Sequence, residues 1–402
     1  MNIVVLSPRF PFPLDKGDRL TVFHLVKYLS ARHRVSLVCF LEPDQDPAWV
    51  EKVEPYCKRI ECVPLNRLRA AANAAIGIFG ATPVQMRYYR DPAMRDTVRR
   101  VIDEEKPDVL YSQLIRMSQY SEPHREITRV AAFNLSMTRN HRRLAEHSRR
   151  PLARLFNRLE YHKLKHFEGS FASRFDRVLY ISKYDVEEAQ EHCGPLARVS
   201  VIPHGVDFDY FHADETVPRR PSSVIMTGNM NYAPNADAAV FLCREILPLV
   251  REALPDVRVS LVGADPGREV RALAEDPSIE VTGRVPDLRD SMNRAEIAVA
   301  PIRIGAGLQN KVLEGMSMGL PMVATSVANE GIQAVDGENI LLGDTAAEFA
   351  DRMIELLRDP ERRAVLGRAA RDFIVRNWSW EKHFGDLEQI MEQLVREKRD
   401  EG

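Results

Sequence analysis

The residues best suited to chemistry follow a predicted strand, at a point where glycines alternate with charged side chains. Gly305 and Gly307 form a turn, and Arg303 and Lys311 stand on either side of it. A helix is predicted to begin near Leu308, so its first N–H groups are free and its dipole directs positive charge toward the turn. A helix start flanked by two cations favours binding of an anion such as a diphosphate.

Glu314 adds a hydrogen-bond acceptor to the same helix. It lies one turn beyond Lys311 on the same face, where its carboxylate can accept hydrogen bonds from sugar hydroxyls, and the free amide of Gln309 lies at the start of that helix. A Lys-x-x-Glu pair is more commonly an ordinary surface ion pair, and this alternative stays open. The glycines before the helix and the Gly319-x-Pro321 turn after it favour the ligand site.

A further glycine, Gly17, ends the long loop that follows the first predicted strand. This loop carries prolines at 8, 11 and 13, and Gly17 lies just before a helix, where backbone N–H groups can approach an anion closely. The loop is not Gly-x-Gly-x-x-Gly, so the dinucleotide-binding fingerprint is absent. A structural turn that covers the sheet explains the loop equally well.

The elements that must position these residues are strand-like apolar runs alternating with amphipathic helices. The predicted strands are 3–7, 34–40, 59–63, 109–112, 129–133 and 177–181 in the first half and 224–227, 257–262, 279–282, 297–300, 321–324 and 340–342 in the second. This alternation predicts an α/β protein with two doubly wound, Rossmann-like domains that face each other across a cleft. Ligands of such sheets bind beyond the carboxyl ends of the strands.

Composition excludes several classes of protein. The 402 residues are 45% hydrophobic and 28% charged, as in an ordinary globular protein and unlike disordered or collagen-like chains. No apolar run reaches the ~18 residues of a membrane-spanning helix, and the N-terminus reads as a strand, not a signal peptide. The five cysteines form no Cys-x-x-Cys pair, which favours a reducing cytoplasm over a disulfide framework or a zinc site.

Charge is divided unevenly between the two halves. Residues 1–200 carry a net charge of +9 and residues 201–402 a net charge of −11. The basic half suits an anionic surface. Nucleic acid is not expected as the partner, because the chain has no zinc-finger spacing, no RNA-binding aromatic signature and no repeat.

The positive charge is concentrated in residues 139–165, which hold nine Lys and Arg against Glu146 and Glu160. Within this segment four apolar residues recur at helical spacing: Leu152, Leu155, Phe156 and Leu159. One interpretation is an amphipathic helix that rests on an anionic membrane leaflet, with residues 65–79 as a second candidate segment. The alternative is that the apolar stripe packs on the domain core and the arginines are merely solvated, in which case the acceptor is soluble.

Several motifs, taken together, resemble those of a known protein family. They are Ile202-Pro-His-Gly-Val-Asp207 with Phe211, the stretches 178–185, 228–235, 261–263, 283–288 and 311–321, and Trp378-Ser-Trp380. These motifs resemble glycosyltransferase family 4, which has the two-domain GT-B fold. The Lys-Gly-Asp-Arg loop and the 228–235 stretch look most like sugar transferases associated with exosortase and exopolysaccharide loci.

The resemblance implies three parts of the chain and a reaction. Residues 1–203 would bind the acceptor, 204–375 the nucleotide sugar, and 376–402 would form a helix that returns to the first domain. The reaction would be a retaining transfer of a sugar from a nucleoside-diphosphate donor to a glycan or lipid-linked acceptor in surface polysaccharide synthesis. No metal or other cofactor is expected. The enzyme would be cytoplasmic and peripheral on the inner face of the membrane.

Donor-binding residues follow from the resemblance position by position. Gly17 matches the loop whose amide approaches the diphosphate, and Glu314 matches the glutamate that contacts the ribose. The other predicted donor-binding residues are Gly228 in its matching stretch, Gly263, Arg284 and Val285 on the nucleobase side, and Gly305, Gly307, Leu308 and Gln309 at the donor sugar and phosphate.

The sequence also departs from the family pattern. Ala306 stands where the first glutamate of the E-x7-E motif is expected, and the usual Arg and Lys are absent from residues 227–235. Arg303 and Lys311 are predicted to supply that charge as catalytic residues, with His141 as the acceptor-side group. A histidine in such a basic run is more commonly just solvated. A catalytically inactive sugar-nucleotide-binding scaffold and a sugar-nucleotide epimerase of the same fold therefore remain as alternatives.

Overall fold

The computed structural model describes residues 1–14, 17–42, 47–148, 150–304 and 308–400. The chain divides into two compact units, one formed by residues 1–204 with 380–402 and the other by residues 205–379. Each unit is built on one parallel β-sheet covered by helices. The predicted α/β class with two Rossmann-like domains is therefore confirmed.

The first unit contains a seven-stranded sheet with strand order β3-β2-β1-β4-β5-β6-β7. Its strands are β1 (Asn2–Ser7), β2 (Arg34–Leu41), β3 (Arg59–Pro64), β4 (Val109–Gln113), β5 (Thr128–Asn134), β6 (Arg177–Tyr180) and β7 (Val199–Val201). Its helices within residues 1–204 are α1 (Gly17–Ser30), α2 (Val50–Val53), α3 (Arg67–Ile78), α4 (Val84–Tyr88), α5 (Pro92–Glu105), α6 (Ile115–Ser121), α7 (Met137–His147), α8 (Pro151–Ala172) and α9 (Lys183–Cys193). Short 3-10 turns flank α2 at Pro47–Trp49 and Glu54–Tyr56.

The central strand shows why the apolar runs become parallel strands. On β1, Ile3 and Val5 pack into one core cluster, whereas Val4 and Leu6 pack into another. Helices cover both sides of the sheet, so both side-chain faces of the strand are buried and its sequence is continuously apolar. β1 lies between β2 and β4, with Ile3 opposite Val35 on one side and Val109 on the other.

The second unit contains a six-stranded sheet with strand order β10-β9-β8-β11-β12-β13. Its strands are β8 (Ser223–Thr227), β9 (Arg258–Val262), β10 (Ile279–Gly283), β11 (Ile297–Ala300), β12 (Met322–Ala324) and β13 (Leu341–Leu342). Its helices are α10 (Ala233–Phe241), α11 (Leu247–Ala253), α12 (Arg268–Arg271), α13 (Leu288–Asn293), α14 (Asn310–Ser317), α15 (Ser326–Asn329), α16 (Ala346–Arg358) and α17 (Pro360–Asn377). A π-helical turn at Leu242–Ile246 joins α10 to α11, and a 3-10 turn at Ala272–Glu275 follows α12.

The last helix, α18 (Trp380–Asp400), belongs to the first unit. Trp380, Phe384, Leu387 and Met391 recur at helical spacing and are all buried in the same core cluster as β1. The helix contacts α1, where the Tyr28 hydroxyl donates a 2.9 Å hydrogen bond to Glu388. The apolar stripe of α18 thus completes the core on one side of the first sheet.

Three details differ from the sequence-based expectation. The short edge strand β7 was not predicted, because its residues are only half-buried or exposed. Helix α14 begins at Asn310, not near Leu308, with Gln309 as its N-cap. The alternative that the stripe of α8 packs on the core is wrong, because Leu152 is 82% exposed and Leu155, Phe156 and Leu159 are exposed as well.

Candidate functional site

The site in the second unit is built where β11 ends and α14 begins. All four residues of β11 are buried, and the chain leaves the strand with the Thr325 hydroxyl donating a 2.5 Å hydrogen bond to the carbonyl of Ile302. Gln309 caps α14 without a side-chain hydrogen bond to its first turn. Within that turn the Val312 amide already donates a 2.9 Å hydrogen bond to the Gln309 carbonyl, so among the described residues the amides of Asn310 and Lys311 are the ones left for an anion. Gly305, Gly307 and Ala306, named in the sequence predictions, lie outside the described residues.

Lys311 and Glu314 occupy the first and second turns of this helix, both half-buried. The Lys311 Nζ donates a 2.9 Å hydrogen bond to Gln309 Oε1, an uncharged partner. Burial lowers the pKa of Lys311 to about 8, although the Glu314 carboxylate opposes this shift. Burial likewise raises the pKa of Glu314 to about 7, against the pull of Lys311. Both groups therefore titrate close to neutral pH, and the charge of neither is fully compensated by the other before a ligand binds.

Two glycines at neighbouring strand ends form a cradle beside Lys311. Gly228 follows β8 with a φ of 146°, and Gly263 follows β9 with a φ of 151°. A Cβ on Gly228 would lie 3.2 Å from Lys311 Cε, and one on Gly263 would lie 1.8 Å from the Gly228 carbonyl oxygen. Only glycine allows this close approach of backbone to backbone and to the lysine. We call Gly228 and Gly263 the glycine cradle.

Asn235, on the first turn of α10, closes the same corner. Its Nδ2 would lie 2.7 Å from a Cβ on Gly228, and it donates a 2.9 Å hydrogen bond to the Asn229 carbonyl. Only 5% of the residue is exposed, and Oδ1 accepts no hydrogen bond within the part of the chain that the structure describes. A buried acceptor of this kind suits a hydroxyl or ammonium donor. The sequence predictions did not single out this residue, although it belongs to the matching 228–235 stretch.

Arg303 has partners other than the predicted diphosphate. Its guanidinium donates to the Asp237 carboxylate over 2.9 and 3.1 Å and lies 3.5 Å from a Glu245 oxygen. It also stacks 4.1 Å above the ring centroid of Phe241. A diphosphate would have to draw the guanidinium away from these groups, so Lys311 is the better placed of the two predicted cations.

The remaining predicted donor residues lie at neighbouring positions of the same sheet edge. Arg284 and Val285 directly follow β10, where Arg284 is exposed and Val285 packs partly on the core. The Gly263 amide donates a 3.1 Å hydrogen bond to the Gly283 carbonyl, so these residues adjoin the glycine cradle. Leu308 is half-buried and directly precedes Gln309, the N-cap of α14. The sheet topology therefore brings the carboxyl ends of β8, β9, β10 and β11 to one edge, as expected of parallel strands.

His141 lies in the first unit, on α7, and is half-buried instead of solvated. Its Nδ1 is 2.8 Å from Asn157 Oδ1, and Asn157 donates its own amide to the Ala153 carbonyl. Nδ1 therefore carries the proton, which leaves Nε2 as an acceptor when the ring is neutral. Burial lowers the pKa of His141, which favours the neutral ring at pH 7.

Gly17 is the first residue of α1, but the start of this helix already has an anion beside it. Asp18 in the first turn pairs with Arg9 at 2.5 Å, and the Thr21 hydroxyl donates to the Gly17 carbonyl. A carboxylate at a helix N-terminus is stabilised by the dipole. The predicted contact of Gly17 with a diphosphate remains a prediction.

Comparisons with known proteins match both units. A family model described as "Glycosyltransferase Family 4" matches residues 19–210, and a model described as "Glycosyl transferases group 1" matches residues 221–359. The chain belongs to glycosyltransferase family 4. The predicted membership is confirmed, and the protein is a glycosyltransferase of the GT-B type.

Individual relatives of this family are distant. An "Uncharacterized 44.6 kDa protein in cps region" of Klebsiella pneumoniae is 22% identical over 96% of this chain and 98% of its own. A GDP-mannose-dependent monoacylated alpha-(1-6)-phosphatidylinositol monomannoside mannosyltransferase of Corynebacterium glutamicum is 28% identical, over 51% of this chain and 59% of its own. The structure of Anabaena Alr3699/HepE in complex with UDP has a TM-score of 0.69 at 14% identity, over 98% of this chain and all of that one.

Proposed function

We propose that this glycosyltransferase is a retaining enzyme that moves a sugar from a nucleoside-diphosphate sugar to a glycan or lipid-linked acceptor in surface polysaccharide synthesis. The observation that carries the proposal is the pair of Lys311 and Glu314 beside the glycine cradle. Within the described ranges the Lys311 ammonium hydrogen-bonds only to an amide oxygen, and such a group suits a departing diphosphate. A half-buried carboxylate suits the two adjacent hydroxyls of a ribose.

The names of the similar proteins support parts of this proposal. The mannosyltransferase is GDP-mannose-dependent, and the Anabaena protein was solved with UDP. The Klebsiella relative is named for a cps region. That name, with the motif likeness to sugar transferases of exopolysaccharide loci, is our ground for proposing a role in surface polysaccharide synthesis.

The proposed reaction needs no protein nucleophile. The acceptor hydroxyl attacks the anomeric carbon on the face from which the diphosphate leaves, and the bond between that carbon and the phosphate oxygen breaks with its electron pair going to the diphosphate. A non-bridging phosphate oxygen takes the hydroxyl proton. The Lys311 ammonium and the backbone amides of Asn310 and Lys311 stabilise the departing charge, so we propose a metal-independent transfer. His141, with Nε2 free to accept, is proposed as a group that orients the acceptor hydroxyl.

One assay separates this proposal from its two alternatives. The protein is incubated with a panel of UDP-, GDP- and dTDP-sugars, with and without a lipid extract, and nucleoside diphosphate and sugar nucleotides are quantified. We expect nucleoside diphosphate release that depends on the extract. An epimerase would convert the sugar nucleotide without the extract. Binding of a sugar nucleotide with neither outcome would indicate an inactive scaffold and contradict the proposal.

The first unit carries a surface suited to a membrane. We call it the α3–α8 surface and define it as the exposed side chains on and directly beside α3 and α8. Phe79 is 93% exposed and Leu68 86% exposed at α3, and Leu152 and Leu155 are exposed on α8. Lys163 on α8 joins the two helices by donating hydrogen bonds of 2.8 and 2.9 Å to the Gly77 and Ile78 carbonyls. Large exposed apolar side chains on two joined helices suit an interaction surface.

The charges on this α3–α8 surface favour an anionic leaflet as the partner. Arg150, Arg154 and Arg158 are exposed on or just before α8, and Arg67 is exposed at the start of α3. Each cation near an anionic membrane contributes about 1 kcal/mol, so several give reversible attachment. No helix within the described ranges is long and apolar enough to cross a membrane. We therefore propose peripheral binding at the inner face of the membrane.

Co-sedimentation with liposomes tests the α3–α8 surface. Binding to vesicles that contain phosphatidylglycerol should exceed binding to phosphatidylcholine vesicles at low salt and weaken as salt screens the charges. Changing Arg150, Arg154 and Arg158 to Glu should remove the binding, because it reverses three attractive charges. A matched variant with Glu at three exposed arginines of the second unit, Arg220, Arg244 and Arg376, should still bind. Equal sedimentation of both triple variants would contradict the proposal.

A further inference from the structure

Two neighbouring strands of the first unit end in backbone of positive φ, which is strained at Leu114. Leu114, directly after β4, has φ 66° and ψ 145°, a region that is nearly exclusive to glycine, and Asn134 at the end of β5 has φ 68°. Hydrogen bonds hold both bends: the Leu114 amide donates to Ala132 at 2.7 Å, and the Ile181 amide donates to Asn134 at 2.6 Å. Strain of this kind is typical of functional sites, and ligands of parallel sheets bind at this carboxyl edge.

The side chains beside the Leu114 bend carry unused hydrogen-bond donors. Gln113 is fully buried and accepts a 3.1 Å hydrogen bond from the Tyr111 hydroxyl, yet its Nε2 donates to nothing among the residues that the structure describes. Arg116 is 18% exposed, and its Nε is likewise without an acceptor in the described chain. Buried donors are normally satisfied, so these two point to an acceptor atom supplied by a ligand.

Arg116 is paired more loosely than Arg9 and Arg19 at this edge. Arg9 pairs with Asp18 at 2.5 Å and with Glu42 at 3.4 Å, and Arg19 pairs with Glu42 at 2.6 Å. Arg116 reaches Asp18 only at 3.9 Å. Asp18 is thus shared between Arg9 and Arg116, and its shorter contact is with Arg9. Burial accordingly lowers the pKa of Arg116, which nevertheless stays cationic.

Arg116 is also held in place before any ligand binds. Its guanidinium lies 5.0 Å from the ring centroid of Tyr89, and the Tyr89 carbonyl accepts a hydrogen bond from the Tyr120 hydroxyl. Arg116 and Tyr120 lie on the same short helix α6, so the strained bend, the arginine and its stacking partner form one rigid group. A preorganised donor loses less freedom when it binds an oxyanion.

We propose that Gln113 and Arg116 form a binding site for an anionic group of the acceptor, a phosphate or a carboxylate. The proposal rests on the proposed function and names the acceptor class. Both unused groups are donors and one is cationic, which matches oxyanion oxygens, whereas a neutral sugar hydroxyl needs an acceptor as well as a donor. A lipid-linked acceptor would supply a phosphate, and a uronic acid unit would supply a carboxylate.

Three glucose derivatives test the site: glucose 1-phosphate carries a phosphate, glucuronate carries a carboxylate, and methyl glucoside carries no charge. Binding is measured by titration calorimetry or ligand-observed NMR on Lys311→Ala protein, so that the proposed donor site is disabled. We expect at least one anionic sugar to bind about tenfold or more tightly than methyl glucoside. Adding Arg116→Gln should abolish this preference, whereas Arg125→Gln, at an exposed arginine of the same unit, should leave it intact. The tighter anionic probe identifies phosphate or carboxylate as the ligand chemistry.

A second variant keeps the test valid if Arg116→Gln does not fold. Gln113→Leu removes one unused donor without changing charge and should weaken the anionic sugar severalfold while methyl glucoside binding stays the same. Equal binding of all three sugars, or a preference that survives both variants in folded protein, overturns the proposal. Nucleoside diphosphate binding to otherwise wild-type protein should be unaffected by Arg116→Gln. Its absence in the wild type would overturn the proposed function instead, so the two failures are distinguishable.

Discussion

Lys311→Ala is expected to lower nucleoside diphosphate affinity and the rate of sugar transfer, with turnover falling about 10²-fold or more. Lys311 lies against the glycine cradle, and its ammonium hydrogen-bonds only to the amide oxygen of Gln309 among the described residues. In the proposed mechanism the charge on the diphosphate grows as the sugar departs, so the lost cation affects the transition state more than the ground state. Calorimetry and initial rates measure the two effects separately.

Two controls sharpen this expectation. Arg303→Lys should have a smaller effect than Lys311→Ala, because Arg303 is engaged by Asp237 and Glu245 in the structure. The wild type should also lose nucleotide affinity as pH rises through about 8, where free Lys311 loses its proton, and Lys311→Ala should not show this loss. Full activity in Lys311→Ala would show that the lysine has only a structural role.

Glu314→Gln is expected to weaken donor binding while the fold is retained. If the carboxylate accepts hydrogen bonds from two ribose hydroxyls, a deoxyribose analogue of the donor should bind the wild type about 10- to 100-fold more weakly than the donor does. The loss should be much smaller in Glu314→Gln, because an amide that replaces the carboxylate loses less when a hydroxyl is missing. Competition binding with the ribose and deoxyribose forms measures this difference.

The pH dependence of donor binding provides an internal check on Glu314. Burial raises the pKa of its carboxyl group to about 7 in the free protein, and hydroxyl donors favour the ionised form. Wild-type affinity should therefore decrease as pH falls below about 7, and Glu314→Gln should not show this decrease. Equal discrimination between ribose and deoxyribose in both proteins would refute the ribose contact.

The parallel sheets could be predicted because their strands are buried on both faces. The first strand was predicted from the continuous apolar run Ile3–Leu6, whose side chains are buried on both faces of the sheet. The strand Ile297–Ala300 was likewise predicted at its observed bounds. Strand β7 was not predicted, because a short, half-exposed edge strand has no continuous apolar run. A strand that is buried on both faces can thus be predicted from its sequence, because all its side chains are apolar.

The site was predictable only as far as local spacing determines it. Lys311 and Glu314 share a helix, so their relation follows from helical geometry. Arg303 lies in the same segment, but its partner Asp237 is 66 residues away, and long-range pairing of this kind is not encoded in local spacing. The unused donors of Gln113 and Arg116 likewise emerge only from tertiary structure, because burial and missing partners have no signature in sequence.

The most direct measurement of the central claim is a crystal structure of the wild-type protein with the nucleoside diphosphate that binds it best in the sugar-nucleotide panel. We predict a diphosphate oxygen about 3 Å from Lys311 Nζ, within reach of the first amides of α14, and ribose hydroxyls at the same hydrogen-bond distance from the Glu314 carboxylate. The nucleobase should lie on the side of Gly263, Arg284 and Val285. A nucleotide bound elsewhere, with Lys311 and Glu314 still free of it, would contradict the account.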